Sequence, residues 1–293
     1  MRRRCLVLGG TGFLGVHVLR AARAAGLETW CAARQPSPLA GPAFQALDAE
    51  DSGALGPLLA ELAPVCVVNC IALARVSDCE RAPERARALN AEFPGRLARL
   101  ARARGIRLVH VSTDLVFGDR PAPPAGFAED DEPGPVSAYG ATKLAGERAV
   151  LAAEPRALVA RLPLLCGASF GRELGASDAV VAAVRRGERP RLFTDEVRTP
   201  LDAADAARAL VELAARDLAG RLHLAGPERL TRLELGLRAL AAAGCADPRA
   251  QVDAAVRAGE HARRPADVAL DSARARRLLV SPLPAPGTPR AGP

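Results

Sequence analysis

Along the first 113 residues, short apolar runs alternate with longer stretches in which apolar positions recur every three or four residues. The runs are "RCLVLGG", "LETWCAA", "PVCVVNC" and "IRLVHVS", with a short third strand in "FQALDAED"; the amphipathic stretches cover 12–25, 51–63 and 83–104. Uninterrupted apolar runs fit strands buried on both faces, and their alternation with helices predicts parallel βαβ units. Residues 119–137, "DRPAPPAGFAEDDEPGPVS", form a loop by composition, Ser137 is placed to cap the helix after it, and "LVARLPLL" (158–165) reads as a further buried strand. Beyond residue 166 glycines interrupt the pattern. Helices are predicted near 176–186, 202–216 and 229–243 and short strands at "PRLF" and "GRLHLAG", as a smaller lobe built on the edge of the main sheet.

The first strand-to-helix junction, "LVLGGTGFLG", satisfies Gly10-x-Gly12-x-x-Gly15 and Gly9-x-x-Gly12-x-x-Gly15 at once. Glycines at this place permit a tight turn and close approach of a pyrophosphate to the helix N-terminus. Gly9, Gly12, Phe13, Leu14 and Gly15 are therefore candidate cofactor residues, the alternative being a glycine-rich packing turn. At the end of the second strand an acidic residue binds the ribose 2′-OH of NAD, whereas "CAARQ" has Arg34 there, which favours NADPH over NADH. Asp48 is placed to touch adenine or to cap the next helix. The expected fold is a Rossmann-type doubly wound parallel α/β sheet. Residues 1–165 form its dinucleotide-binding domain, 166–280 an interleaved substrate lobe, and 281–293, nearly all Pro, Gly and small residues, a disordered tail.

Composition narrows the partners. The net charge is +7, but the arginines are scattered through helical stretches such as "RLARLARARGIR", which predicts solvated faces and attraction for anionic small molecules rather than nucleic acid. Seven cysteines at irregular positions fit buried thiols in a reducing cytoplasm, and none has the paired spacing of a zinc site, so no metal is expected. The N-terminus superficially resembles a signal peptide, but its glycines disfavour a continuous apolar helix. No apolar run reaches the roughly 18 residues that span a bilayer.

Of 40 basic residues a single one, Lys143, is lysine, and it follows the chain's single tyrosine, Tyr139, by four positions in "SAYGATKLAGE". That spacing puts both on one face of a helix. An adjacent ammonium favours the phenolate, so such a tyrosine can protonate an alkoxide as hydride arrives, and an ammonium also bonds ribose hydroxyls. Ser112 and Thr113, at the end of "VHVSTDLVFG", offer hydroxyls where ligands bind in open α/β sheets, and either is placed to hold a substrate carbonyl.

Together "GGTGFLG", "STDLVFGD" and "YGATKLAGE" resemble the extended short-chain dehydrogenase/reductase superfamily, and within it the dTDP-4-dehydrorhamnose reductase family of sugar-nucleotide-binding proteins. The likeness continues through "ALNAEFPGRLA", "DEVRTPLDAADAARAL", "LHLAGPERLTRLELG" and "RPADVALD". It implies Thr113 as catalytic hydroxyl, Tyr139 as proton donor and Lys143 as its activator. It also implies Asn69, Cys70, Ile71 and Ala72 along the cofactor, with Asn90 on the helix beneath the site. Ser112, Phe170, Arg198, Thr199 and Pro200 fall on the substrate side, Arg198 as a candidate for the diphosphate. Asp114 is followed by Leu115, so the acidic pair of the related dehydratases is missing, and Ser169 stands before Phe170 where the family tends to have Asn. The implied reaction is NADPH-dependent reduction of a 4-keto group on a nucleotide-linked deoxysugar. A non-catalytic NADP-binding regulatory subunit, resembling that of methionine adenosyltransferase, and a reductase or epimerase of another ketone stay open, as does a homodimer.

Overall fold

A computed structural model describes residues 3–258 and 264–287. The chain opens with β1 (Arg4–Leu8), α1 (Phe13–Ala24), β2 (Glu28–Ala33), β3 (Phe44–Ala46), α2 (Leu55–Leu62) and β4 (Cys66–Asn69). The single helix expected over 83–104 is instead a series, preceded by α3 (Val76–Arg81). It comprises α4 (Pro83–Arg87), a π-helical turn at 88–92 and α5 (Phe93–Ala103). Pro94, in the first turn of α5, has no N–H for the ladder, and the chain widens just before it. Then come β5 (Arg107–Thr113), α6 (Ala138–Ala153), β6 (Leu158–Leu162), β7 (Leu165–Cys166), α7 (Asp178–Arg185), β8 (Arg191–Phe193), β9 (Val197–Arg198) and β10 (Leu201–Asp202). The last elements are α8 (Ala203–Ala214), β11 (Gly220–His223), β12 (Leu230–Thr231), α9 (Arg232–Ala242), β13 (Asp253–Ala255) and α10 (Ala273–Leu278).

Seven strands form one parallel sheet in the order β11-β6-β5-β4-β1-β2-β3, a Rossmann-type doubly wound arrangement. Alternate residues serve opposite faces: Val7, Val68, Val109 and Ala160 pack with Val18 and Leu210 of α1 and α8. Leu6, Val67, Leu108 and Val159 pack with Leu59 and Leu97 of α2 and α5. Two segments after residue 165 thus return to the main layer, α8 against α1 and β11 as the sheet's edge beside β6. The remainder builds two-stranded pairs and the α7–α9 layer around Val180, Leu192, Leu240 and Val252.

The expectation of a disordered 281–293 is corrected for its first half. Leu283 is buried in the main core, and the Glu212 carboxylate accepts from the backbone N–H of Val280 and Ser281, both at 2.8 Å. Such contacts hold in place a segment whose composition reads as tail. Residues 288–293 lie outside the described residues.

Candidate active site

The sheet order reverses between β1 and β4, which opens a crevice at the carboxyl ends of these strands. The glycine loop lines one side. Gly9 has φ +75°, and a Cβ there would lie 3.1 Å from the backbone of Cys70, on the loop after β4; a Cβ on Gly15 would lie 2.2 Å from Gly9 O. Only glycine admits this turn and the close approach of α1 and of the loop after β4 to it. The N-terminus of α1 has neither a side-chain cap nor an acid in its first turn, so its N–H groups face the crevice uncompensated. Phe13 sits edge-on to His17 in the first turn of α1, Leu14 is buried in the core, and Cys70, Ile71 and Ala72 are half-buried on the opposite loop. Arg34 is exposed at the end of β2. Asp48 is also exposed and accepts from Glu50 N at 3.0 Å, a turn contact rather than a helix cap.

A residue that the sequence analysis missed completes this cradle. The segment after β7 crosses the glycine loop, with Phe170 stacked under the Arg20 guanidinium and beside His17, so Phe170 belongs to this strap and packs on α1. Phe170 and Glu173 both have positive φ, at 55° and 53°. Between them Arg172 donates through Nε to Ser169 O and through Nη1 to Thr11 O, the backbone of the glycine loop itself. Its Nη2 is buried with no hydrogen-bond partner among the described residues. One arginine among 39 carries no signal in sequence, and left-handed Phe and Glu are not foreseeable. A cradle closed to any Cβ, open helix N–H groups and an unsatisfied guanidinium nitrogen together fit a dinucleotide's pyrophosphate.

At the end of β5, Thr113 caps the following turn by accepting from Leu115 N at 3.2 Å, donates to Asp114 Oδ1 at 3.0 Å, and lies within hydrogen-bond reach of the Tyr139 phenol. Tyr139 stands in the first turn of α6, where Ser137 accepts from Gly140 N as the expected cap. Gly140 is required, since a Cβ there would lie 2.0 Å from Leu115 O. Thr113 and Tyr139 are thus brought together. The expectation that Lys143 acidifies Tyr139 is not met by this geometry: Nζ turns down to Val111 O at 2.7 Å and His110 Nε2 at 3.5 Å. Burial and the Asp114 carboxylate push the phenol above its usual value, against the Thr113 hydrogen bond. Burial also raises Asp114 to about 6, offset in part by Arg198 and Thr113, and its Oδ2 has no hydrogen-bond partner among the described residues. Arg198 Nε stands 3.7 Å from that oxygen, while the other guanidinium nitrogens bond the carbonyls of Val197, Pro265 and Ala266.

Several expected substrate or cofactor residues have other partners. Ser112 points away from Thr113, as neighbours on a strand must, and its hydroxyl donates to Glu147 at 2.5 Å. Thr199 Oγ1 accepts from Leu270 N at 3.1 Å, and Pro200 is buried with its carbonyl under Gly226. Asn69 is fully buried between Ile71 N and His110. Asn90, on the π-helical turn, clamps the loop after β4 by bonding Leu73 N and O, and it reaches Thr142 of α6 at 3.1 Å. After the turn that follows β5, a cavity of about 390 Å³ is lined by Arg120, Arg257, Arg264 and Asp119 together with Gly118, Pro121, Val136 and Ala266.

The family model "RmlD substrate binding domain" matches residues 3–285. The dTDP-4-dehydrorhamnose reductase of Mycolicibacterium smegmatis is 36% identical over 74% of this chain and 66% of its own. Methionine adenosyltransferase 2 subunit beta of Pongo abelii is 32% identical over 80% of this chain and 70% of its own. Among solved structures, a hypothetical dTDP-4-dehydrorhamnose reductase from Sulfolobus tokodaii superimposes with a TM-score of 0.82 at 27% identity, covering 97% of both chains.

Proposed function

This chain belongs to the RmlD substrate binding domain family, and on that footing we propose that it reduces the 4-keto group of a nucleotide-linked deoxysugar with NADPH. The observation that carries the reading is Thr113 and Tyr139 meeting at the carboxyl edge of β5, one helical turn from Lys143 and across the crevice from the glycine loop. Gly9, Gly12, Phe13 and Gly15 with the loop at 70–72 would hold the dinucleotide, Arg172 would reach its pyrophosphate, and exposed Arg34 is placed for a 2′-phosphate. The bound nicotinamide supplies a hydride to the keto carbon.

Thr113 would orient the carbonyl oxygen by turning its one hydroxyl proton from Asp114 Oδ1 to that oxygen, and Tyr139 donates its phenolic proton as the oxygen becomes an alkoxide. A phenol held above its ordinary value stays protonated across the neutral range, which is the form that donates. Lys143 would bond the ribose of the nicotinamide nucleotide. Arg198 serves by holding Asp114 beneath Thr113, since its guanidinium is committed to that carboxylate and to backbone carbonyls. The neighbouring cavity gathers Arg120, Arg257 and Arg264, which are paired with Asp119, Asp195 and Glu196 and would have to exchange those carboxylates to take the diphosphate of the substrate. Seven free thiols suit a reducing cytoplasm, and among the described residues no helix is long and apolar enough to cross a membrane.

NADPH oxidation with dTDP-4-keto-6-deoxy sugars tests the proposal. Wild type is expected to turn over, and Tyr139→Phe to lose about 100-fold or more; equal rates in the two would remove the assigned donor. The 32% identity to the methionine adenosyltransferase subunit supports a second reading, a regulatory NADP-binding protein, for which tight NADPH binding without turnover of any ketone is the mark.

A further inference from the structure

Lys143 ends a chain of buried side chains whose protons can be placed one after another. Asn69 Oδ1 accepts from Ile71 N at 3.1 Å. A backbone N–H can only donate, so the amide is held with Nδ2 toward His110, 3.1 Å from Nδ1. An amide NH2 has only protons to offer. Nδ1 must therefore be the acceptor, and the imidazole proton sits on Nε2. Nε2 lies 3.5 Å from Lys143 Nζ, which donates to Val111 O at 2.7 Å. An ammonium has three donors and no acceptor, so it meets Nε2–H donor to donor. The amine has one lone pair, which takes that proton while its own N–H keeps Val111.

No free anion faces the nitrogen to reverse this. On α6, Glu147 lies one turn beyond Lys143, but its carboxylate is occupied by Arg161, Arg221 and Ser112, and Tyr139 one turn before is a neutral phenol. From the loop after β4, burial pushes the Cys70 thiol up to about 12. From β5, burial and Lys143 hold His110 well below its ordinary value and so uncharged. Burial outweighs the pull of Glu147 and Cys70 and brings Lys143 down to about 8.

We propose that His110 is a positioning residue that favours the uncharged amine of Lys143 in the protein alone, so that the amine forms at lower pH than in a free lysine, and that seating the dinucleotide restores the ammonium. The second half rests on the cofactor reading above: ribose hydroxyls offer the acceptors that Nε2–H does not. The balance is a proton taken from solvent on binding, a small fraction of one per dinucleotide at neutral pH and close to one above the free midpoint, with no redox change.

Because Lys143 is the chain's only lysine, protein labelled with 13Cε,15Nζ-lysine gives one side-chain resonance that needs no assignment. The expected titration midpoint is about 8 for the protein alone, with an ammonium resonance persisting past about pH 9 under saturating NADPH. Calorimetry at about pH 9 in buffers of different ionisation enthalpy is then expected to read uptake of close to one proton, and the NADPH Kd to rise about tenfold per pH unit between the two midpoints. His110→Gln, which can present a carbonyl oxygen to Nζ, is expected to raise the free midpoint by about one unit or more and to shrink the uptake. A free-protein resonance that stays ammonium to about pH 10 overturns the proposal, as does a folded His110→Gln with an unmoved midpoint. A chain that binds no NADPH overturns the cofactor reading and the proton uptake with it, and the free-protein midpoint still decides the role of His110.

Discussion

Two histidines on one face of the central sheet are wired in opposite senses. His223, on β11, has Nδ1 3.0 Å from Phe127 O and so must donate there, which leaves Nε2 to accept from Arg161 Nη1 at 3.3 Å. Arg161 also donates through Nε and Nη2 to Glu147, and Ser112 donates to the same carboxylate, so each nitrogen of the guanidinium has a partner and the carboxylate is held from several sides. His110, on β5, presents Nε2–H to Lys143 instead. The difference lies in the cation. A guanidinium cannot surrender its proton and is costly to bury without a carboxylate, whereas an amine can go neutral and needs none. In a chain with 39 arginines, the one position that an arginine cannot fill is the one beside a histidine donor.

The comparison breaks most visibly on the closed side. Arg161→Leu leaves the fully buried Glu147 carboxylate with only the half-buried Arg221 and the Ser112 hydroxyl, and a loss of about 3 kcal/mol is expected in urea unfolding at neutral pH. If the variant unfolds within about 1 kcal/mol of wild type, the network is not the closed, mutually dependent unit described here.

Asp114 supplies the next test, through pH. Its carboxyl sits at about 6 in the folded chain against a usual 3.8, so between those values the native state binds more protons than the unfolded one. Stability therefore falls as pH rises through that window: the cost of the buried charge is absent below it and complete above about pH 6. Asp114→Asn removes the slope. The variant's stability relative to wild type should increase between about pH 4 and pH 7 by about 3 kcal/mol, read from paired unfolding curves. A pH-independent difference would mean that Arg198, at 3.7 Å, already neutralises the carboxylate.

On the open side, Lys143→Arg keeps the charge but cannot become an acceptor for His110 Nε2–H. Keto-reduction is expected to fall about 100-fold, equivalent to about 2.7 kcal/mol, with folding retained. A fully active variant would show that charge alone suffices at this position.

Much of this was legible before any coordinates. The strands, the glycine turn, the helix carrying Tyr139 and Lys143, and Thr113 at a strand end follow from periodicity and spacing, because each depends on contacts within one βαβ unit. Partnership across the sheet does not. Ser112 and Thr113 differ by one position, and whether a hydroxyl meets Tyr139 or Glu147 is decided by strand parity and by what α6 lays over each face. The π-helical turn that aims Asn90 at Leu73 was equally hidden, since it shifts register inside a helix whose periodicity otherwise reads as continuous. The single lysine was conspicuous in the sequence, but the histidine that gives it a reason lies 33 residues away.

The smallest expected effect concerns the other cation left with an unmet donor. Arg172, like Lys143, stands outside the closed Arg161 network, and having no route to neutrality it keeps a buried Nη2 with nothing to bond among the described residues. Two contacts to carbonyls, at Thr11 and Ser169, fix the guanidinium over the glycine loop but supply no negative charge. The left-handed backbone at Phe170 and Glu173 on either side costs roughly 1–3 kcal/mol per residue, a strain that such a strap sustains when it serves a ligand. A pyrophosphate oxygen at Nη2 would meet the missing acceptor with a charge-assisted bond of about 1.5–3 kcal/mol. Arg172→Ala is therefore expected to weaken NADPH about tenfold or somewhat more in direct titration, and to flatten the salt dependence of binding. Arg172→Lys should recover part of the charge but not the fork held between Thr11 and Ser169. If Arg172→Ala binds NADPH as wild type does while unfolding more readily, the strap is a structural brace, and the open donor geometry that marks a binding site is then that of Lys143.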